Sequence, residues 1–272
     1  DGVTFTCILK ACANVGDVSK GKLIHDEVIR KGLLYRNVVL GTALVDMYAK
    51  CGLLVKAHEV LKELHIRDAV AWSALIAGYA QYGDGEEALK CYDQMQHEGI
   101  SPNEVTFICT LKACNVAGSL EMGEAIHNEA KNLGFLPSNV VLGTALVGMY
   151  AKFGVLSRAQ DVFDQLPARD VVSWNALISG YAQHGFGNEA LDCFRRMRDE
   201  GTSPNGVTFL SALKACSAIG CIDKGAEIHG DVKKMGLLDK DIMLGTAVVD
   251  MYAKCGMLQR AHEVFNELPT KD

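Results

Sequence analysis

Apolar residues recur along this chain at three- and four-residue spacings, in paired stripes set apart by glycine-rich breaks. Within residues 171–205 the first stripe holds Ala176, Leu177 and Tyr181, and the second Ala190, Leu191, Phe194 and Met197. That spacing marks an amphipathic helix. Gly185-Phe186-Gly187 separates the two stripes, and Gly201 followed by Pro204 ends the second, as glycine just past a helix and proline beyond it do. The segment therefore reads as a helical hairpin. The same punctuation occurs earlier as Gly83-Asp84-Gly85 and Gly99-Ile100-Ser101-Pro102. Valine-rich runs such as Val38-Val39-Leu40 are short and lead into helical stripes, so no sheet is expected.

The hairpins repeat at two levels. An offset of 102 residues superimposes Phe5, Phe107 and Phe209, then Cys12, Cys114 and Cys216, then His25, His127 and His229, without any slip of register. It also aligns Gly41-Thr42-Ala43, Gly143-Thr144-Ala145 and Gly245-Thr246-Ala247, and the Met-Tyr-Ala-Lys runs at Met47, Met149 and Met251. Inside each period lie units of 36, 31 and 35 residues. The eight units are 2–37, 38–68, 69–103, 104–139, 140–170, 171–205, 206–241 and 242–272, with Asp1 left over from a preceding one. The chain starts without Met and in mid-pattern, which reads as a segment of a longer protein. A single hairpin cannot bury its apolar face, so neighbours must stack. The expected fold is all-α: one solenoid of stacked helix-turn-helix repeats filling 1–272. First helices line one face of it, and their equivalent side chains form a ladder suited to a linear polymer.

Composition narrows the possibilities. With 49% hydrophobic and 22% charged residues and five prolines, the chain has the material for a large core. No run of apolar residues is long enough for a membrane span. The net charge of −6 opposes an electrostatically dominated nucleic-acid binder unless the positive charges are gathered on one face. None of the ten cysteines forms a C-x-x-C pair, and Cys51 and Cys255 align with Phe153, so they are expected as small core residues. His25-Asp26-Glu27 and His127-Asn128-Glu129 match half of a zinc-deaminase signature, yet the third copy is His229-Gly230-Asp231 and no P-C-x-x-C follows. No metal, cofactor or catalytic group is expected. Trp72, Trp174, Phe5, Phe107 and Phe209, each fourth in its unit, are expected to pack inside.

The motifs then carry a family resemblance over all 272 residues. Long units hold LKAC and G-x-x-I-H, short ones GTALVDMYAKCG, and the 35-residue ones SWNALISGYAQHG with a closing SPN. This mixture resembles the PLS subclass of plant pentatricopeptide repeat proteins. The resemblance implies a right-handed superhelix that binds single-stranded RNA, one base per repeat, in chloroplasts or mitochondria. It implies that the fifth and last residues of a unit face one base together, that the second residue wedges between bases, and that a basic thirteenth residue contacts phosphate.

At the matching positions the short units pair Thr42 with Asp68, Thr144 with Asp170 and Thr246 with Asp272. A carboxylate accepts from the Watson–Crick N–H donors of guanine and meets an acceptor on adenine, so these pairs favour G. The family's pairing rule agrees. By that rule Ser73 with Asn103 favours A, and Asn175 with Asn205 favours a pyrimidine, C over U. The long units offer Thr6 with Asn37, suggesting A, then Ile108 with Asn139 and Leu210 with Asp241; Ile108 and Leu210 cannot hydrogen-bond, and no base is assigned to the long units. The target is thus 5′-n-G-A-n-G-Y-n-G-3′. Second positions are Val3, Val39, Val70, Val105, Val141, Val172, Val207 and Met243. Both base stacking and ordinary interface packing would select them. Thirteenth positions Lys50, Lys152 and Lys254 would make a positive row.

The favoured function is target recognition in an organellar C-to-U RNA editing factor whose deaminase is absent from this segment. The alternative is a protein-interaction scaffold, holding a peptide or docking a partner such as the family's multiple organellar RNA editing factor proteins.

Overall fold

The computed structural model describes residues 2–34, 37–238 and 240–268. Among them there are sixteen helices and no strand. The first helices of the eight units are α1 (Gly2–Val15), α3 (Val38–Lys50), α5 (Ala69–Gln81), α7 (Glu104–Ala117), α9 (Val140–Lys152), α11 (Val171–Gln183), α13 (Gly206–Ile219) and α15 (Ile242–Lys254). The second helices are α2 (Val18–Arg30), α4 (Leu54–Glu63), α6 (Gly85–His97), α8 (Leu120–Asn132), α10 (Leu156–Asp164), α12 (Gly187–Asp199), α14 (Ile222–Lys234) and α16 (Leu258–Glu267). From α3 onward each first helix begins on the first residue of a unit, because the residue before it is Asn or Asp, whose side chain bonds a free backbone N–H of the first turn. At the other end of the long units' first helices, Gly118 and Gly220 adopt the left-handed conformation, φ 72° and 68°, that only glycine takes without strain.

The chain divides into two compact units, 1–136 and 137–272, each with four hairpins. A linear array has no closed core, so its contacts are all between neighbours, and it separates into compact bodies where a single closed domain would not. In the first unit α1 packs on α3, α3 on α5 and α5 on α7; in the second α9 packs on α11, α11 on α13 and α13 on α15. Each second helix lies against the first helix of its own hairpin, and α2, α4, α6, α10, α12 and α14 also touch the first helix that follows. Each unit is thus a two-layer all-α repeat solenoid. Trp72, Trp174, Phe107 and Phe209 are buried between the layers, and Phe5 is half-buried beneath the Lys31 ammonium, 5.4 Å from its ring.

Helix spacing is set by small residues. Gly78 and Gly180 lie so close to the preceding first helix that an added Cβ would stand 2.8 Å from the Cβ of Ala49 and 2.6 Å from that of Ala151. Six cysteines are buried, and burial pushes the thiols of Cys91, Cys114 and Cys216 up to about 12 and that of Cys193 to about 11. Four cysteines differ from the core placement read in the sequence. Cys7 is exposed, and Cys51, Cys221 and Cys255 are only half-buried, Cys51 and Cys255 because each caps the C-terminus of a first helix and Cys221 because it precedes the start of α14.

Two of the three histidines in this register are structural. His25 and His229 are buried, and their Nδ1 atoms lie 3.0 Å and 3.2 Å from the hydroxyls of Tyr48 and Tyr252 on the next first helix. Among the described residues no cluster of His, Cys, Asp or Glu could hold a metal, and no helix is long and apolar enough to cross a membrane.

Burial lowers the pKa of both His25 and His229, with Lys56 beside the first and Arg260 and Lys233 beside the second acting in the same sense. The unfolded chain takes up protons at these sites first as pH falls below about 6.5, so stability is complete above that value and declines beneath it. Urea titrations across pH 5 to 7.5 should show this decline, and it should be smaller in His25→Gln/His229→Gln. A second expectation separates two glycines in helix interiors. Gly180→Ala should destabilise by about 1–3 kcal/mol through overpacking, whereas Gly148→Ala, whose nearest neighbour would be 4.0 Å away, should stabilise by roughly 0.5–1 kcal/mol, both read by thermal melting.

Candidate nucleic-acid interface

The last residue of each unit is the N-cap of the next first helix. Asn37, Asp68, Asn103, Asn139, Asp170, Asn205 and Asp241 each accept, through Oδ1, from the backbone N–H three residues on, at 2.8–3.2 Å. The cap therefore uses one oxygen and leaves one group over. For Asp that group is the second carboxylate oxygen, an acceptor; for Asn it is the amide Nδ2, a donor. Asp170 and Asn205 are exposed, and the other five are half-buried. Asp272 lies outside the described residues.

Two fifth residues, Thr42 and Asn175, bond their caps directly, and the structure does not bring Ser73, Thr6 or Thr144 into direct bonds with theirs. Thr42 Oγ1 donates to Asp68 Oδ1 at 3.4 Å. Asn175 Nδ2 donates to Asn205 Oδ1 at 3.1 Å. Ser73 is 2% exposed and its hydroxyl faces inward, donating to the Ala69 carbonyl at 2.6 Å and lying 2.8 Å from Thr106 Oγ1. Thr106 in turn reaches Asn103 Oδ1 at 3.0 Å, so Ser73 and Asn103 communicate only through it. Thr6 is also buried and bonds the Gly2 carbonyl, Thr246 bonds the Ile242 carbonyl, and Thr144 keeps a solvent-shielded Oγ1 with no partner in the protein. Ile108 and Leu210 are half-buried.

Second residues all project from the surface. Val3, Val39, Val70, Val105, Val141, Val172, Val207 and Met243 are 53% to 73% exposed. They occupy the second position of the first turn, where no earlier turn of their own helix lies beneath them. They do not fill the packed interior. Repetition gives one bare aliphatic side chain beside each cap.

Lys50, Lys152 and Lys254 are exposed, but the row they form is partly neutralised. Lys50 pairs with Asp46 and Lys254 with Asp250, both at 2.8 Å. Exposed pairs four apart on a helix contribute only about 0.3–0.5 kcal/mol, so a phosphate can displace the carboxylate. Lys10, Lys112 and Lys214, ninth in the long units, are exposed as well. Positions two, five, nine and thirteen recur at helical spacing on one face, so these three lysines share the face of the caps. The signal was the repeated LKAC motif, noticed above only as a family mark. First helices hold these six lysines against Asp46, Glu104 and Asp250, and the caps Asp68, Asp170 and Asp241 bring that layer to neutrality. With Asp1 and Asp272, which also end units, that layer carries −2, and the other −4 sits on the second helices and loops.

Residues 67–115 and 169–218 match the PPR repeat family, and residues 3–33, 42–68 and 246–272 match the PPR repeat. The chain belongs to the pentatricopeptide repeat family. This pentatricopeptide repeat chain is 38% identical, over 99% of its length, to a chloroplastic pentatricopeptide repeat-containing protein of Arabidopsis thaliana, and 36% identical, over 99%, to a mitochondrial one. It spans 43% and 39% of the lengths of those relatives. Among solved structures it is similar to the pentatricopeptide repeat protein PPR10 in complex with an 18-nt psaJ RNA element, with a TM-score of 0.76 at 20% identity over 91% of this chain and 37% of that one. That likeness concerns the fold.

Proposed function

We propose that this chain binds single-stranded RNA with one base per repeat, within a chloroplast or mitochondrion, as the address-reading segment of a PLS-type C-to-U editing factor. The observation that carries the proposal is the cap geometry. In seven described units the helix cap consumes Oδ1 of the last residue and so dictates which polar group remains for a ligand. A remaining carboxylate oxygen accepts from guanine N1–H and N2–H, so Asp68 and Asp170 read G. A remaining amide Nδ2 donates to adenine N1 beside Asn103. Beside Asn205 and Asn175 the leftover donors suit cytosine N3, which uracil replaces with a competing N–H. Exposed second-position aliphatics would cover the faces of successive bases, each burying apolar area at roughly 25 cal/mol per Å². The lysines of the same face would hold phosphates.

The relatives named chloroplastic and mitochondrial support the compartment, the RNA complex of PPR10 supports the ligand class, and the alternation of long, short and 35-residue units supports the editing role. In this reading the chain supplies the address and not the chemistry. The target is 5′-n-G-A-n-G-Y-n-G-3′, its final G resting on Thr246 with Asp272.

Fluorescence anisotropy with that oligonucleotide and a scrambled one, at two salt concentrations, tests the proposal. The cognate RNA should bind more tightly. The dependence of log K on log salt should be no steeper than about −4, since each neutralised phosphate of a single strand contributes about −0.7 and six lysines are available. Equal affinity for the two RNAs would remove base reading.

A further inference from the structure

The pair that reads the sixth base is held by a third side chain. Thr208 is third in the following long unit, and its single hydroxyl proton has two acceptors in reach: Asn175 Oδ1 at 2.6 Å and Asn205 Oδ1 at 3.0 Å. The shorter contact takes the proton. Asn205 N–H donates back to Thr208 Oγ1 at 3.0 Å, Thr208 N–H donates to Asn205 Oδ1 at 3.1 Å, and Asn175 Nδ2 donates to that same oxygen at 3.1 Å. These bonds close a ring: Asn205 main chain to Thr208 hydroxyl, Thr208 hydroxyl to Asn175 carbonyl oxygen, Asn175 amide to Asn205 carbonyl oxygen. Every lone pair the ring uses points inward, so the groups left for a ligand are amide N–H donors of both asparagines.

Without the hydroxyl a single bond, from Asn175 Nδ2 to Asn205 Oδ1 at 3.1 Å, is left to decide which end of the Asn175 amide faces out. An Asn side chain is nearly symmetric in shape, and only its hydrogen-bond partners distinguish oxygen from nitrogen. Thr106 stands in the equivalent place for the other 35-residue unit, 2.8 Å from Ser73 Oγ and 3.0 Å from Asn103 Oδ1, while accepting from Asn103 N–H at 3.1 Å. The other units differ. After long units the third position is Leu40, Leu142 or Leu244, and after short units it is Ala71 or Ser173, whose hydroxyl bonds the Asp170 main chain instead.

We propose that Thr208 is a specificity-determining positioning residue: belonging to one repeat, it orients the base-reading amides of the repeat before it and so sets the preference for cytosine over uracil at the sixth base. Thr106 likewise holds the Asn103 amide, and with it the preference for A, at the third base. The inference rests on the RNA-binding assignment above.

The test compares the chain with Thr208→Val and Thr208→Ser, each titrated with RNAs carrying C or U at the sixth base, and G or A at the fifth as internal control, at a temperature where circular dichroism shows all three folded. The unaltered chain should prefer C. In Thr208→Val the C-over-U ratio should fall by about threefold to tenfold, the worth of one oriented hydrogen bond, with the fifth-base preference intact. Thr208→Ser, which keeps the hydroxyl, should retain the ratio. An unchanged ratio in Thr208→Val, or a loss of affinity that is equal for every RNA, would overturn the proposal and leave base reading standing. Absence of any C-over-U preference in the unaltered chain would remove the base assignment itself, and the role of Thr208 with it.

Discussion

The hydrogen bond from a helix's first turn to the Asn or Asp that precedes it is the contact on which this protein depends. A first helix opens with backbone N–H groups that have no partner within the helix. Here the closing residue of the preceding unit supplies one, at 2.8–3.2 Å in all seven described cases. Losing such a cap costs about 1 kcal/mol, a modest sum for one helix, but the bond also settles chemistry. It commits one oxygen and fixes the orientation of what is left. The residue that starts the helix is thereby the residue that offers a single kind of polar group to a ligand, and the alphabet available for reading is narrowed to side chains that cap well.

Tight stacking makes those groups comparable from unit to unit. Gly78 and Gly180 admit the preceding helix to within a distance that a methyl group would violate, and buried aromatic residues at position four fill the space between layers. The balance of charge differs between the layers: first helices hold six lysines against three acidic residues, and second helices fifteen basic residues against twenty acidic ones, so an acidic chain presents a lysine-dotted face on its first helices. Under the proposed function such a face would discriminate by hydrogen-bond polarity more than by bulk attraction, as a reader that rejects a base differing in one N–H requires.

Much of this was legible in the amino-acid order. The 102-residue period and its three sub-lengths located every first-helix start, from Val38 to Ile242, because the cap residue ends each unit and is visible as Asn or Asp. What escaped was whatever depends on two helices at once. The second-position valines could equally have been interface residues, and only the stack shows them bare. Ser73 has the same register as Asn175, yet its short side chain falls inside where the longer amide reaches the cap. The lock by Thr208 joins residues 33 positions apart, beyond any local pattern. The pairing of Lys50 with Asp46 was a missed local signal, since a separation of four on a helix announces it.

The dual duty of the closing residue is tested most directly at Asp170, by exchanging it for Asn and measuring both thermal unfolding and base preference at the fifth nucleotide. Asn caps a helix about as well as Asp, so the melting temperature should stay nearly unchanged while the leftover acceptor becomes a donor and the preference moves from G to A. A variant that still prefers G would contradict the account.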